Sequence, residues 1–167
     1  MIVSVVILAL VTAQRLGELV VARRNTARLV AAGGVERGAE HYPLIVALHA
    51  AWLAGLWWLA WDSPANPAWL GAYVVLEGLR VWVLASLGAR WTTRIIVVPG
   101  ETLVRKGPYR FLSHPNYLVV AGEIAVLPLV FGLTSYAVVF SVLNAAMLWL
   151  RIRAESAALR DSGPPVI

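Results

Sequence analysis

Residues 107–117 read Gly-Pro-Tyr-Arg-Phe-Leu-Ser-His-Pro-Asn-Tyr, and further along the chain Arg151 and Glu155 follow at a spacing of i,i+4. That spacing puts the last two side chains on one helical face. The set offers an imidazole, two phenols, a carboxamide, a carboxylate and a guanidinium. A carboxylate and aromatic faces suit a cationic group, and a guanidinium suits an anion through charge-assisted contacts. Two prolines break the backbone where hydrophobic spans begin. Lipid offers that irregular backbone no hydrogen bonds, so protein or water must satisfy it. A segment of this kind reads as a binding site and not as a plain connection. Metal and thiol chemistry are poorly supplied. The chain has no cysteine, and His41, His49 and His114 lack metal-ligand spacing.

The elements that must position these groups are membrane helices. Of the 167 residues 60% are hydrophobic and 14% charged, against roughly 25% charged in soluble domains. Mean hydropathy is +0.74. Eight tryptophans and five tyrosines fit interfacial aromatic belts. A span needs about 20 mostly apolar residues. The sequence predicts an all-α integral membrane protein, one domain over 1–167, with five helices at roughly 2–22, 43–61, 67–87, 116–132 and 134–153. The start, Met-Ile-Val-Ser-Val-Val, lacks the basic region of a signal peptide and reads as a retained first helix. Ile95–Val98 is too short for a span and is expected to lie extended or at the interface.

Orientation follows from lysine and arginine. The connection 62–66 and the turn at 131–135 carry neither. The segment 23–42 carries Arg23, Arg24, Arg28 and Arg37. The segment 88–116 carries Arg90, Arg94, Arg105, Lys106 and Arg110, and the C-terminal end carries Arg151, Arg153 and Arg160. The expected arrangement has the N-terminus outside, the C-terminus inside, and a cytoplasmic cofactor site built from the 88–117 loop and the ends of the last two helices. The net charge of +5 is explained by this asymmetry, so nucleic acid is not an expected partner.

Several ionisable groups fall inside the spans, where they face a bundle interior or a wet cavity. Arg15 and Glu18, and likewise Glu77 and Arg80, are spaced i,i+3. Each pair either neutralises itself and docks helices or lines a headgroup cavity. His49 is a packing histidine or a catalytic one. Glu123 has no partner in its own helix and must find one elsewhere, and Asn144 can bond across to a neighbour. If the fourth and fifth spans form a hairpin, His114, Tyr117, Arg151 and Glu155 meet at one membrane end. Such convergent polar groups make a default binding site.

The order Gly107-Pro108-Tyr109, His114-Pro115-Asn116-Tyr117, helical hairpin, then Arg151-Ile152-Arg153-Ala154-Glu155 through Leu159 resembles the isoprenylcysteine carboxyl methyltransferase family of integral-membrane enzymes. Ser113 stands where that family usually has arginine, and Ser156 replaces a second glutamate. Three stretches resemble more narrowly a bacterial branch associated with type III polyketide synthases, similar to enzymes that O-methylate alkylpyrones. They are Arg15-Leu16-Gly17-Glu18-Leu19, His41-Tyr42-Pro43 with His49, and Leu87-Gly88-Ala89-Arg90-Trp91-Thr92-Thr93-Arg94-Ile95.

The resemblance implies bound S-adenosylmethionine. Thr102, Leu103 and Val104 would line its adenosine, Tyr109, His114, Pro115, Asn116 and Tyr117 would wrap it, and Glu155 would take a polar contact. Arg151 would be the catalytic residue, facing the acceptor. The acceptor would be a lipophilic small molecule entering from the bilayer, methylated on a carboxylate or acidic enol oxygen. Such an acceptor is already ionised and needs no base, whereas a phenol or amine would make His49 or Glu123 candidates on the acceptor side. The membrane expected is the bacterial cytoplasmic membrane. Two other readings stay open. An NADPH-dependent reductase of sterol-reductase type would use Arg90, Arg94, Arg105 and Arg110 for a 2′-phosphate, and a non-enzymatic scaffold would use none of these groups.

Overall fold

The computed structural model describes residues 1–100, 102 and 104–161, with side chains through residue 158. Five α-helices follow in order: α1 (Ile2–Ala31), α2 (Tyr42–Ala60), α3 (Pro67–Leu87), α4 (Pro115–Val130) and α5 (Thr134–Asp161). Four of them are long and apolar enough to cross a membrane, and α4 is a shorter apolar helix. Exposed valines, leucines and tryptophans cover the outside of the bundle, Trp58 being 83% exposed. A soluble monomer rarely shows so large an apolar surface. Against hydrocarbon it is the expected exterior of an integral membrane protein.

Helix ends follow local chemistry. Asn66 caps α3 by accepting from the backbone N–H groups of Ala68 and Trp69, and Pro67 fills the first helical position, where its missing N–H costs nothing. Helix α1 runs nine residues beyond the expected end at 22, because Ala, Arg and Leu sustain a helix whether or not lipid surrounds it. It stops at Gly33, whose φ of +90° lets the N–H groups of residues 32–34 turn back onto the carbonyls of residues 28–30. Helix α5 likewise continues past 153 to Asp161. Helix α4 closes at Val130, short of the expected 132, just beyond Pro128.

The all-helical expectation needs one addition. Val35–Arg37 (β1) and Ile95–Val97 (β2) form an antiparallel ribbon, with Val35 opposite Val97 and Arg37 opposite Ile95. The β-branched run is therefore extended, and its partner is the short segment after α1.

The two ends of the bundle differ. At one end the Ser4 hydroxyl donates to the Ser63 carbonyl, and the Asn66 N–H donates to the Val130 carbonyl at 2.7 Å. Leu8, Trp52, Leu56, Leu127 and Val130 belong to the buried core. At the other end Asn25 of α1 donates to the carbonyls of Trp91 (2.8 Å) and Gly88 (3.3 Å). That end holds the ribbon, the 88–114 segment and the end of α5, so all three basic segments lie together.

Between the ends sits a buried ion network. Arg15 meets Glu18 at 3.0 Å, Glu123 at 2.9 Å and Glu77 at 3.8 Å. Arg80 meets Glu18 at 2.9 Å and Glu123 at 3.3 Å. Gln14 donates to Glu77 at 2.5 Å. Arg15 and Glu18 do pair within α1, as their spacing suggests. Arg80, expected to pair with Glu77 in α3, instead reaches across to α1 and α4. Both arginines share Glu18 and Glu123, and Glu123 is buried at 2% exposure.

Removing one member of such a network leaves a buried charge uncompensated, at a cost of about 3–5 kcal/mol. Glu123→Ala should therefore lower the thermal midpoint in detergent sharply, while Leu118→Ala on the exposed face of the same helix should barely move it. Equal midpoints would show that the network does not hold the bundle.

Candidate functional site

The 107–117 segment is shaped by two constraints. Gly107 has φ +57°, and a Cβ there would run into the Ser86 side chain of α3. The turn can thus sit flat on the end of α3, with Pro108 buried beneath it. Pro115 then fixes the start of α4, so His114, Asn116 and Tyr117 occupy its first turn. The last turns of α5 bring Arg151 and Glu155 to the same place.

The hydroxyl of Tyr117 is the centre of this group. It accepts from Arg151 Nε at 2.9 Å and donates to Glu155 Oε2 at 2.6 Å. A phenol inserted between guanidinium and carboxylate holds both without letting them collapse into a plain i,i+4 pair. His114 stacks on Tyr117 with ring centroids 5.3 Å apart and places Nδ1 3.5 Å from Glu155 Oε2. Arg151 Nη2 also donates to the Thr93 carbonyl at 2.7 Å. Burial, with some help from the Glu155 charge, pushes the Tyr109 phenol up to about 12, so it stays protonated.

These groups open onto a cavity of about 550 Å³, well within the roughly 300–1,000 Å³ of small-molecule sites. Of the residues expected at a cofactor site, Thr102, Val104, Tyr109, His114, Asn116, Tyr117 and Glu155 line it, as does Arg151. Leu103 lies outside the described residues. Pro115 is buried at the helix start and is not on the wall. Glu123 is in the ion network, and neither it nor His49 lines the cavity. His49 Nδ1 lies 2.9 Å from the Ile45 carbonyl, which can only accept, so this nitrogen carries the proton.

The other wall lies in the 88–117 segment expected to build the site, but its residues were not singled out as S-adenosylmethionine contacts. It consists of Arg90, Trp91, Thr92 and Arg94 together with Ile95–Val98. The signal was present in the four β-branched residues at 95–98, but their partner strand at 35–37 carries no such pattern. The arginines of this wall are engaged: Arg94 Nη1 bonds both oxygens of Glu36 at 2.7 and 2.9 Å, and Arg90 Nη1 donates to the Thr102 carbonyl at 2.6 Å.

The donor set can be matched to a ligand. Asn116 Oδ1 is buried on the cavity side of α4 without a hydrogen-bond partner, and such an acceptor is costly unless something donates to it. Glu155 supplies a negative charge beside it, and Tyr109, His114 and Tyr117 supply aromatic surface. A cationic, zwitterionic nucleoside with N–H donors satisfies all of these. The described residues hold no group of three or more His, Asp or Glu side chains that could take a metal ion.

Comparison with known proteins identifies a family. The model of the isoprenylcysteine carboxyl methyltransferase (ICMT) family matches residues 69–161. That stretch includes the Gly107 turn, the α4–α5 hairpin and Arg151 with Glu155. The Bacillus subtilis (strain 168) protein named "Uncharacterized protein YpbQ" is 40% identical over 160 residues, 93% of this chain and 95% of its own length. No solved structure matches the chain. The chain belongs to the isoprenylcysteine carboxyl methyltransferase family and is an integral-membrane methyltransferase.

Proposed function

Given that membership, we propose that the protein binds S-adenosylmethionine in the 550 Å³ cavity and methylates an oxygen anion of a lipophilic acceptor drawn from the bilayer. The acceptor class is a carboxylate or acidic enol on a long apolar tail, such as a prenylcysteine-like acid or an alkylpyrone. The observation that carries this reading is the Arg151–Tyr117–Glu155 arrangement, which sets a cation and an anion on one shared hydroxyl at the cavity wall.

When bound, S-adenosylmethionine supplies an electrophilic methyl group on a cationic sulfur. The residues to hold it are Tyr109, His114, Asn116, Tyr117 and Glu155, with Thr102 and Val104 on the apolar side. Glu155 and Asn116 accept its N–H groups, and the aromatic faces favour its positive charge. Arg151 serves the other partner. Its Nε and one Nη2 hydrogen are committed to Tyr117 and Thr93. A guanidinium has five N–H donors, so the remaining ones can fix an anionic oxygen in one orientation. Holding reactants in register supplies much of a transfer barrier by itself. An acceptor ionised near neutral pH asks for no proton removal. Tyr109, protonated throughout the physiological range, acts as a donor and not as a base.

The basic end of the bundle is assigned to the cytoplasm on the positive-inside rule, in a bacterial cytoplasmic membrane. The site then faces the compartment that supplies the cofactor. A single cysteine replacing exposed Asp62, at the opposite end, should react with an impermeant maleimide from outside intact cells. Protection there, with labelling only in inside-out vesicles, would reverse the orientation.

The division of labour has its own test. Glu155→Ala should weaken S-adenosylhomocysteine binding by about 1.5–3 kcal/mol, the value of a hydrogen bond to a charged group. Arg151→Ala should leave that affinity nearly intact while transfer of labelled methyl to a long-chain alkylpyrone or an S-prenylated cysteine collapses. Arg151→Lys should recover only part, because a point charge does not replace a planar fork. Parallel loss of cofactor affinity in both alanine variants would refute the acceptor role of Arg151.

A further inference from the structure

Arg151 sits at the end of a long side chain that carries roughly 2 kcal/mol of rotamer entropy. Its contact with Tyr117 uses Nε alone and leaves the two terminal nitrogens to other partners. The second contact, Nη2 to the Thr93 carbonyl at 2.7 Å, selects one orientation. That carbonyl is itself held in place by side chains from outside the cavity's aromatic wall. The Thr93 hydroxyl lies 3.0 Å from the Tyr42 hydroxyl. The neighbouring Arg94 binds both oxygens of Glu36 at 2.7 and 2.9 Å and lies 4.3 Å from the centroid of the Tyr42 ring. Glu36 belongs to β1, opposite Ile96 of β2. Residues after α1, at the start of α2 and before β2 thus converge on the one backbone group that aims a side chain of α5.

The packing behind this brace is close. A void of only about 10 Å³ is bounded by Glu36, Tyr42, Ile45, Arg94, Arg151 and Ala154, among others, room for about one water. We propose that Glu36 and Tyr42 are positioning residues for methyl transfer, acting through the 93–94 backbone to set the direction of the Arg151 guanidinium. This rests on the acceptor role of Arg151 proposed above. The brace explains why two short, non-adjacent strands pair here: the ribbon fixes Glu36 against Arg94.

The test uses Glu36→Gln, which keeps the size but removes the charge, and Tyr42→Phe, which keeps the ring under Arg94 but removes the hydroxyl. Glu36→Asp is the conservative rescue. Arg94 is left intact because it also lines the cavity. Three quantities are read on detergent-solubilised protein: the Arg151 Nε–H resonance, identified by its absence in Arg151→Lys, S-adenosylhomocysteine affinity, and kcat against KM for methyl transfer to a long-chain alkylpyrone and an S-prenylated cysteine. In both variants kcat should fall about ten- to a hundredfold, as for a misplacement of the order of 1 Å, while S-adenosylhomocysteine affinity stays within about twofold. The Arg151 resonance should merge with those of mobile arginines, and Glu36→Asp should recover part of both signals. An unchanged Arg151 resonance would overturn the inference, as would loss of cofactor affinity in step with turnover. If the wild-type protein does not bind S-adenosylhomocysteine, the functional reading fails, and the resonance alone still decides whether Glu36 and Tyr42 aim Arg151.

Discussion

A charge among membrane spans must bring its own counter-charge, and here Glu123 is shared by two arginines. Its oxygens lie 2.9 Å from Arg15 and 3.3 Å from Arg80, with 2% of the residue exposed. Neither arginine lies on the same helix as Glu123, so the network forms only when α1, α3 and α4 are docked. Apolar packing alone would not specify that arrangement strongly, because lipid tails are as apolar as leucine. The fold at the basic end depends on it. Only with α3 and α4 in register can Gly107 settle against Ser86 and carry Tyr109 and His114 to the cavity.

The site uses the same logic at the basic end of the bundle. Backbone that is neither helix nor ribbon runs from Trp91 to Arg94 and includes Thr102. Its polar groups find partners in side chains: Asn25 on the Trp91 carbonyl, Arg151 on the Thr93 carbonyl, Arg90 on the Thr102 carbonyl. The side chains that satisfy this backbone are thereby oriented themselves. Arg151 is the clearest instance, since one of its donors stabilises a loop, another meets Tyr117, and the residue lines the cavity.

Much of this was legible in the amino-acid order, for local reasons. Helix α3 begins and ends where Asn66-Pro67 and Gly88 require, at 67 and 87. The approach of His114, Tyr117, Arg151 and Glu155 could be read from the lengths of two spans joined by a short turn. What escaped depends on partners distant in sequence. Spacing within a helix suggested a Glu77–Arg80 pair, but it carries no information about Glu18 or Glu123 on neighbouring helices. Val35–Arg37 has no strand pattern of its own and becomes a strand only because Ile95–Val97 lies beside it. The expected span boundaries at 22 and 153 marked where hydrophobicity falls, and the helices outlast it on favourable intrinsic propensity. Of the proposed site, the aromatic wall was visible residue by residue, and the Arg90–Val98 wall only as part of the 88–117 segment.

The central claim is that the cavity between these two walls takes S-adenosylmethionine and not another nucleotide. Calorimetric titration of the purified wild-type protein with S-adenosylhomocysteine, and separately with NADPH, addresses it most directly. The account predicts saturable binding of S-adenosylhomocysteine, with a matching rise in thermal midpoint by mass action, and no response to NADPH. Saturable binding of NADPH, or silence towards both, would contradict it.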